Sequence, residues 1–137
     1  MKLDHIGIAV GSLSEGLAVY RALGLEVSGE EVVLEQRVRV AFLPVGDTRL
    51  ELLEATSPDS PIAVHLEKRG PGLHHVCLAV PDIRAAMASL KERGIRLLSD
   101  EPQTGAHGCL VCFVHPKSAG GVLLELSQPA KRHDGHD

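Results

Sequence analysis

Lysines and arginines do not cluster anywhere in this 137-residue chain, whose formal charge at neutral pH is -4 and whose pI is near 6.0. A phosphate backbone would find no basic stripe, which argues against nucleic acid and leaves a small anionic ligand open. Apolar runs are short as well. None approaches the roughly 18 residues that a membrane-spanning helix needs, so no membrane partner is expected. The opening Met1-Lys2-Leu3-Asp4-His5 puts an acid and a histidine where a secretory leader has its apolar core, and a cytoplasmic location is expected. Cysteine is scarce. Cys77, Cys109 and Cys112 are an odd number and suit a reducing compartment, so the fold is expected to form without disulfides. Cys109 and Cys112 have the spacing of a redox pair but fall in a run that reads as a strand, where residues three apart face opposite ways. They are taken as packing residues.

What the chain does have is enough apolar sequence, 44% of its residues, to build the core of one compact domain. It also has an internal repeat. Adding 70 to each number lays Asp4-His5-Ile6-Gly7-Ile8-Ala9-Val10 on His74-His75-Val76-Cys77-Leu78-Ala79-Val80, and the match runs without a gap to Glu31 and Glu101. Leu13, Leu17 and Tyr20 recur as Ile83, Met87 and Leu90, the i, i+4, i+7 spacing of one helix face. Ser12 with Glu15 forms a capping-box pattern, Asp82 is a suitable N-cap for the second helix, and Gly24 and Gly94 suit helix ends. After each helix come three β-rich stretches, at 26–34, 37–45 and 48–54 in the first half and 95–99, 109–115 and 121–127 in the second.

The expected fold is therefore α+β: two tandem βαβββ modules, about 3–56 and 72–127, related by a pseudo-twofold. A half of this size with one helix is a poor independent domain. Paired, the two would make one mixed eight-stranded, open, barrel-like sheet around a cleft. Between them, 57–71 should hold a short helix opened by Ser60-Pro61. A frayed polar tail is expected over 128–137, with His133 and His136 solvated.

Placed on that scheme, His5 and His75 are equivalent residues of the two first strands, and Glu51 and Glu125 lie within the apolar last strands. A lone histidine on such a strand is more often a hydrogen-bonded core residue than a ligand, and a lone glutamate can simply face solvent. Symmetric placement changes the balance. Carboxylates within apolar strands are costly to bury unpaired. Two imidazoles with two carboxylates would compensate one divalent ion and leave positions open for substrate. Zinc, cobalt, nickel, manganese and iron all fit such a set. His74, next to His75 but on the other face of its strand, reads as structural or as a support for it.

The repeated module with a histidine on each first strand and a carboxylate on each last strand resembles the vicinal oxygen chelate superfamily, which includes glyoxalases and extradiol dioxygenases. Three segments are similar to its methylmalonyl-CoA epimerases: Leu3 to Val10, Gly72 to Val76, and His115-Pro116-Lys117 followed by Gly120-Gly121-Val122-Leu123-Leu124-Glu125-Leu126. Leu98-Ser99-Asp100-Glu101-Pro102 before Gly105-Ala106-His107-Gly108 is similar too. The resemblance spans residues 3 to 128. It implies His5, Glu51, His75 and Glu125 as ligands of one divalent ion per chain, an acyl-CoA substrate, and a homodimer. It also implies inversion at C2 of methylmalonyl-CoA through a metal-stabilised enolate. Of the family's paired acid–base glutamates, one matches Glu125, but the other position is Val40. Glu51, a water or another residue would then take the second role. His107, His115 and Lys117 are candidates for holding the substrate's carboxylate or the CoA phosphates. A lactoylglutathione lyase would use the same four ligands, and a non-catalytic binding protein of this fold could dispense with them.

Overall fold

The computed structural model describes residues 1–130, so most of the expected frayed tail, with His133 and His136, lies outside the described residues. Its strands are β1 (Lys2–Ala9), β2 (Gly29–Val33), β3 (Val38–Val45), β4 (Thr48–Ala55), β5 (Gly72–Ala79), β6 (Gln103–Thr104), β7 (Leu110–Val114) and β8 (Leu124–Gln128). The helices are α1 (Leu13–Ala22), α2 (Pro61–Arg69) and α3 (Ile83–Glu92). All eight strands form one sheet in the order β2-β3-β4-β1-β5-β8-β7-β6. The order reads the same from either end once β1 is exchanged for β5, β4 for β8, β3 for β7 and β2 for β6. Parallel pairing of β1 with β4 is matched by β5 with β8, and the two modules meet where β1 and β5 run antiparallel. The mixed eight-stranded sheet expected from the repeat is the one observed.

Helix ends explain why the two modules fold in register. Ser12 accepts from the Glu15 N–H, and Asp82 accepts from the Ala85 N–H. In each module the first helical N–H is also bound by a side chain from the last strand: Leu13 N–H by Glu54 Oε1 at 2.8 Å, and Ile83 N–H by Gln128 Oε1 at 2.9 Å. Each acceptor lies three residues beyond the strand glutamate, Glu51 or Glu125. The same device thus ties helix to final strand twice. Behind the sheet, Leu13 and Leu17 pack with Val10, Ala41, Leu43 and Leu52, while Ile83 and Met87 pack with Val80, Cys112 and Leu126.

Two expectations require correction. The stretch 95–99 is not a strand: Leu97 makes only an isolated bridge to Val114, and the short β6 at Gln103–Thr104 takes the edge position instead. Pro102, without an N–H, cannot extend the ladder across that gap. Strand β2 is also shorter than 26–34, because Leu25 and Val27 turn off the sheet to pack against the α1 cluster. The sheet's two ends meet through side chains: Glu35 accepts from Thr104 N–H at 2.9 Å, and Glu31 from His107 N–H at 3.0 Å. These bonds close the mouth of the curled sheet around a cavity.

Because Leu17 is 1% exposed in the α1 cluster, Leu17→Ala should lower the unfolding free energy by about 2–5 kcal/mol. Val19 on the same helix is exposed, and Val19→Ala should change stability by no more than about 0.5 kcal/mol. Urea denaturation of the two variants checks the contrast.

Candidate metal centre

The four central strands aim His5, Glu51, His75 and Glu125 into the cavity. His5, Glu51, His75 and Glu125 are only 4–8% exposed, yet each is ionisable or strongly polar. The Nε2 atoms of His5 and His75 stand 3.0 Å apart. Glu125 Oε1 lies 3.1 Å from the first and 2.9 Å from the second. Three donor atoms thus converge from both modules. Gly7 makes the convergence possible: it faces His75 across the β1–β5 seam, and a Cβ there would collide with the imidazole ring. The repeat puts Cys77 at the position equivalent to Gly7, opposite His5.

Glu51 is close but stands elsewhere. Its Oε2 lies 3.2 Å from Nδ1 of His5, on the other side of that ring, and is held by Arg49 at 2.7 Å from the terminal nitrogen. Arg49 also donates to Asp4 at 3.0 Å, and Asp4 Oδ2 in turn stands 2.7 Å from His5 Nδ1. The structure therefore brings His5, His75 and Glu125 onto one point, with Glu51 adjacent. Asp4, Arg49 and Gly7 were not singled out as site residues from the sequence. Arg49 could have been found by its i, i+2 relation to Glu51 on one strand face, and Gly7 by its match to Cys77 in the repeat.

Charge settles what this cluster lacks. Asp4, Glu51 and Glu125 bring three carboxylates and Arg49 one guanidinium, leaving two negative charges beside two imidazoles in a largely dry setting. Without an ion, His5 takes up part of the difference. Burial works against its protonation but is outweighed by the hydrogen bond to Asp4, by Cys77 and Glu125 close to the ring and by the charge of Glu51, which push its pKa up to about 12. Burial likewise opposes ionisation of Glu125, yet the imidazoles of His5 and His75 beside it pull it down to about 2. Donors about 3 Å apart are spaced like adjacent ligands of an ion at roughly 2.1 Å. With a double charge deficit, the residues fit a divalent cation. Burial raises the Cys77 thiol to about 11, so a thiolate ligand is not favoured although its sulfur borders His5 and Asp4. Burial first, then His75 and His65, hold His74 neutral with a pKa of about 3.

The four residues line one end of a cavity of about 350 Å³, whose walls include Val38, Val40, Leu53, Ile62, Val111 and Phe113. His107, His115 and Lys117 do not line it. His107 has a φ of 57° and stacks on Phe42 with ring centroids 4.3 Å apart. The Nδ1 of His115 accepts from the Lys117 N–H and caps the following turn, and Lys117 itself is exposed. Cys77, Cys109 and Cys112 are free thiols. Among the described residues no helix is long and apolar enough to cross a membrane.

Comparison with known proteins gives a consistent picture. A model of the Glyoxalase/Bleomycin resistance protein/Dioxygenase superfamily matches residues 4–113. The mitochondrial methylmalonyl-CoA epimerase of Bos taurus is 48% identical over 130 residues, covering 93% of this chain and 74% of the relative. The ethylmalonyl-CoA/methylmalonyl-CoA epimerase of Cereibacter sphaeroides is 45% identical, covering 93% and 97%. Among solved structures, a variant of the Streptomyces coelicolor methylmalonyl-CoA epimerase in complex with 2-nitronate-propionyl-CoA superimposes with a TM-score of 0.89 at 40% identity, covering 96% and 99%.

The electrostatics set a stability profile for the chelator-treated protein. Glu125 and Asp4 have lowered pKa values, so their stabilisation is present above the unfolded values and is lost as pH falls through the folded ones. His5 is raised, so its contribution is complete below the ordinary histidine value of 6.5 and fades as pH climbs toward about 12. Thermal unfolding of metal-free protein should thus peak between about pH 5 and 6.5. His5→Gln should flatten the alkaline limb.

Proposed function

The chain belongs to the Glyoxalase/Bleomycin resistance protein/Dioxygenase superfamily, and within it we propose that it is a metal-dependent epimerase inverting C2 of methylmalonyl-CoA. One observation carries the reading: two imidazoles and a carboxylate, drawn from both modules, converge in a buried, charge-deficient corner of an apolar cavity. About 350 Å³ suits a small branched acyl group and its thioester, leaving the rest of the coenzyme outside. The epimerase relatives support this substrate over a lactoylglutathione-type thioester or a purely sequestering role.

His5, His75 and Glu125 would hold one divalent ion, with Glu51 completing the set. Bound there, the ion supplies Lewis-acid stabilisation of the negative charge that develops on the substrate oxygens. The rest falls to side chains. Removal of the C2 proton by a carboxylate oxygen leaves an enolate, planar at C2, and inversion requires a proton returned to the opposite face. Glu125 is assigned to one face and Glu51, from the other module, to the second. Val40 can do neither; it is 2% exposed in the cavity wall and offers only a methyl surface to the acyl substituent. Arg49 holds Glu51 beside His5, from where it would turn toward the ion. The exposed Lys117 and His107 are assigned to the anionic ends of the coenzyme, and His115 positions Lys117 by capping its turn. We place the enzyme in the cytoplasm as a homodimer.

Epimerisation should stop on chelation and return on adding a divalent ion; full activity in a verified metal-free sample would refute the mechanism. Replacing a base without changing its shape separates the two faces. Glu125→Gln and Glu51→Gln should each lower turnover by about 10²- to 10⁴-fold, and in deuterated water each should still exchange the α-proton of one epimer, a different one for each variant. Glu51→Gln with near-normal inversion would leave Glu51 only a ligand. Parallel assays with a lactoylglutathione-forming hemithioacetal discriminate the glyoxalase reading.

A further inference from the structure

The repeat that matches His5 to His75 also matches the residues just before them, Asp4 to His74. The two do the same thing by different chemistry. Asp4 Oδ2 lies 2.7 Å from Nδ1 of His5, and His74 Nδ1 lies 2.8 Å from Nδ1 of His75. In both rings it is the far nitrogen, Nε2, that turns to Glu125 Oε1. We infer that Asp4 and His74 are a matched pair of positioning residues, each accepting the Nδ1–H of the neighbouring histidine so that both Nε2 lone pairs are aimed at one point.

The requirement is elementary. A neutral imidazole carries one proton, and it can donate a lone pair to a cation only from the nitrogen without it. Fixing the proton on Nδ1 needs an acceptor there, and such partners also set the ring's orientation. An ionised Asp4 can only accept. Arg49, bound to Asp4 at 3.0 Å, keeps that carboxylate in place, and Glu51 Oε2 stands behind as a second acceptor at 3.2 Å. In module two the acceptor must be the Nδ1 lone pair of His74, whose own proton then sits on Nε2. The ring of His65 packs edge-on against His74, centroids 4.9 Å apart, and restrains it. Module one therefore supports its ligand with an anion and module two with a neutral ring.

The inference deepens the metal reading above and rests on it, so the test separates the two. Zinc affinity of the full chain would be measured by competition with a chromophoric chelator. Ring-nitrogen NMR of zinc-loaded protein would report which nitrogen of each histidine carries the proton. Wild type should bind zinc with both rings protonated on Nδ1. Asp4→Ala and His74→Leu should each weaken zinc by about 10- to 100-fold. Asp4→Asn, which keeps an acceptor oxygen, should weaken it less than Asp4→Ala. His74→Asp, which gives module two the acceptor of module one, should bind zinc within about threefold of wild type, a margin that is small on the scale of losing such a partner. This arm decides the matter even if His74→Leu does not fold. Unchanged affinity in Asp4→Ala and His74→Leu would overturn the inference, as would a loss that His74→Asp does not repair or binding through Nδ1. Failure of wild type to bind any divalent ion would remove the metal reading beneath it.

Discussion

The structure is organised around an electrostatic deficit at a seam. Three carboxylates, two imidazoles and one guanidinium meet where the modules join, and burial denies them the water that would otherwise disperse their charge. In the absence of an ion the deficit is met imperfectly, by a proton on His5 and a salt bridge from Arg49. Such a cluster contributes little to folding for its own sake, since apolar side chains of equal size would pack there at lower cost. Its burial is consistent with the proposed ligand that supplies positive charge.

Everything else in the fold serves to deliver those groups from two directions. Antiparallel pairing of β1 with β5 sets His5 and His75 two rungs apart, and the absence of a Gly7 side chain lets one ring lie across the seam. Parallel pairing of β1 with β4 and of β5 with β8 then places a carboxylate beside each histidine strand. Helix caps supplied by Glu54 and Gln128 hold those last strands to the helices behind them. Closure of the sheet by Glu31 and Glu35 keeps the cavity walled by Val38, Val40 and Leu53. Position and dryness at the site thus follow from topology more than from any single bond.

Much of this was legible in the sequence because a duplication records geometry. Histidines and glutamates at matched positions of two modules had to approach one another once the modules paired, and the i, i+4, i+7 faces of the helices marked which side of each sheet was covered. Register and side-chain direction were less legible. Glu51 and Glu125 occupy equivalent strands, yet Glu125 turns to both histidines while Glu51 turns to Arg49, a difference set by the neighbouring guanidinium, which has no counterpart beside Glu125. The missing strand at 95–99 was apolar enough to read as β, but Pro102 and the pull of Leu97 toward the α3 cluster leave it a bridge. For His115, a motif suggested substrate contact where the backbone already uses the ring as a cap.

The measurement that bears most directly on this account is anomalous diffraction from crystals grown with a divalent transition metal. A single site is expected at the seam, bound by Nε2 of His5, Nε2 of His75 and a carboxylate oxygen of Glu125 at roughly 2.0–2.3 Å, with Glu51 turned from Arg49 toward the ion. An ion bound elsewhere, or His5 and His75 still in direct contact with no density between them and Glu125 at saturating metal, would contradict it.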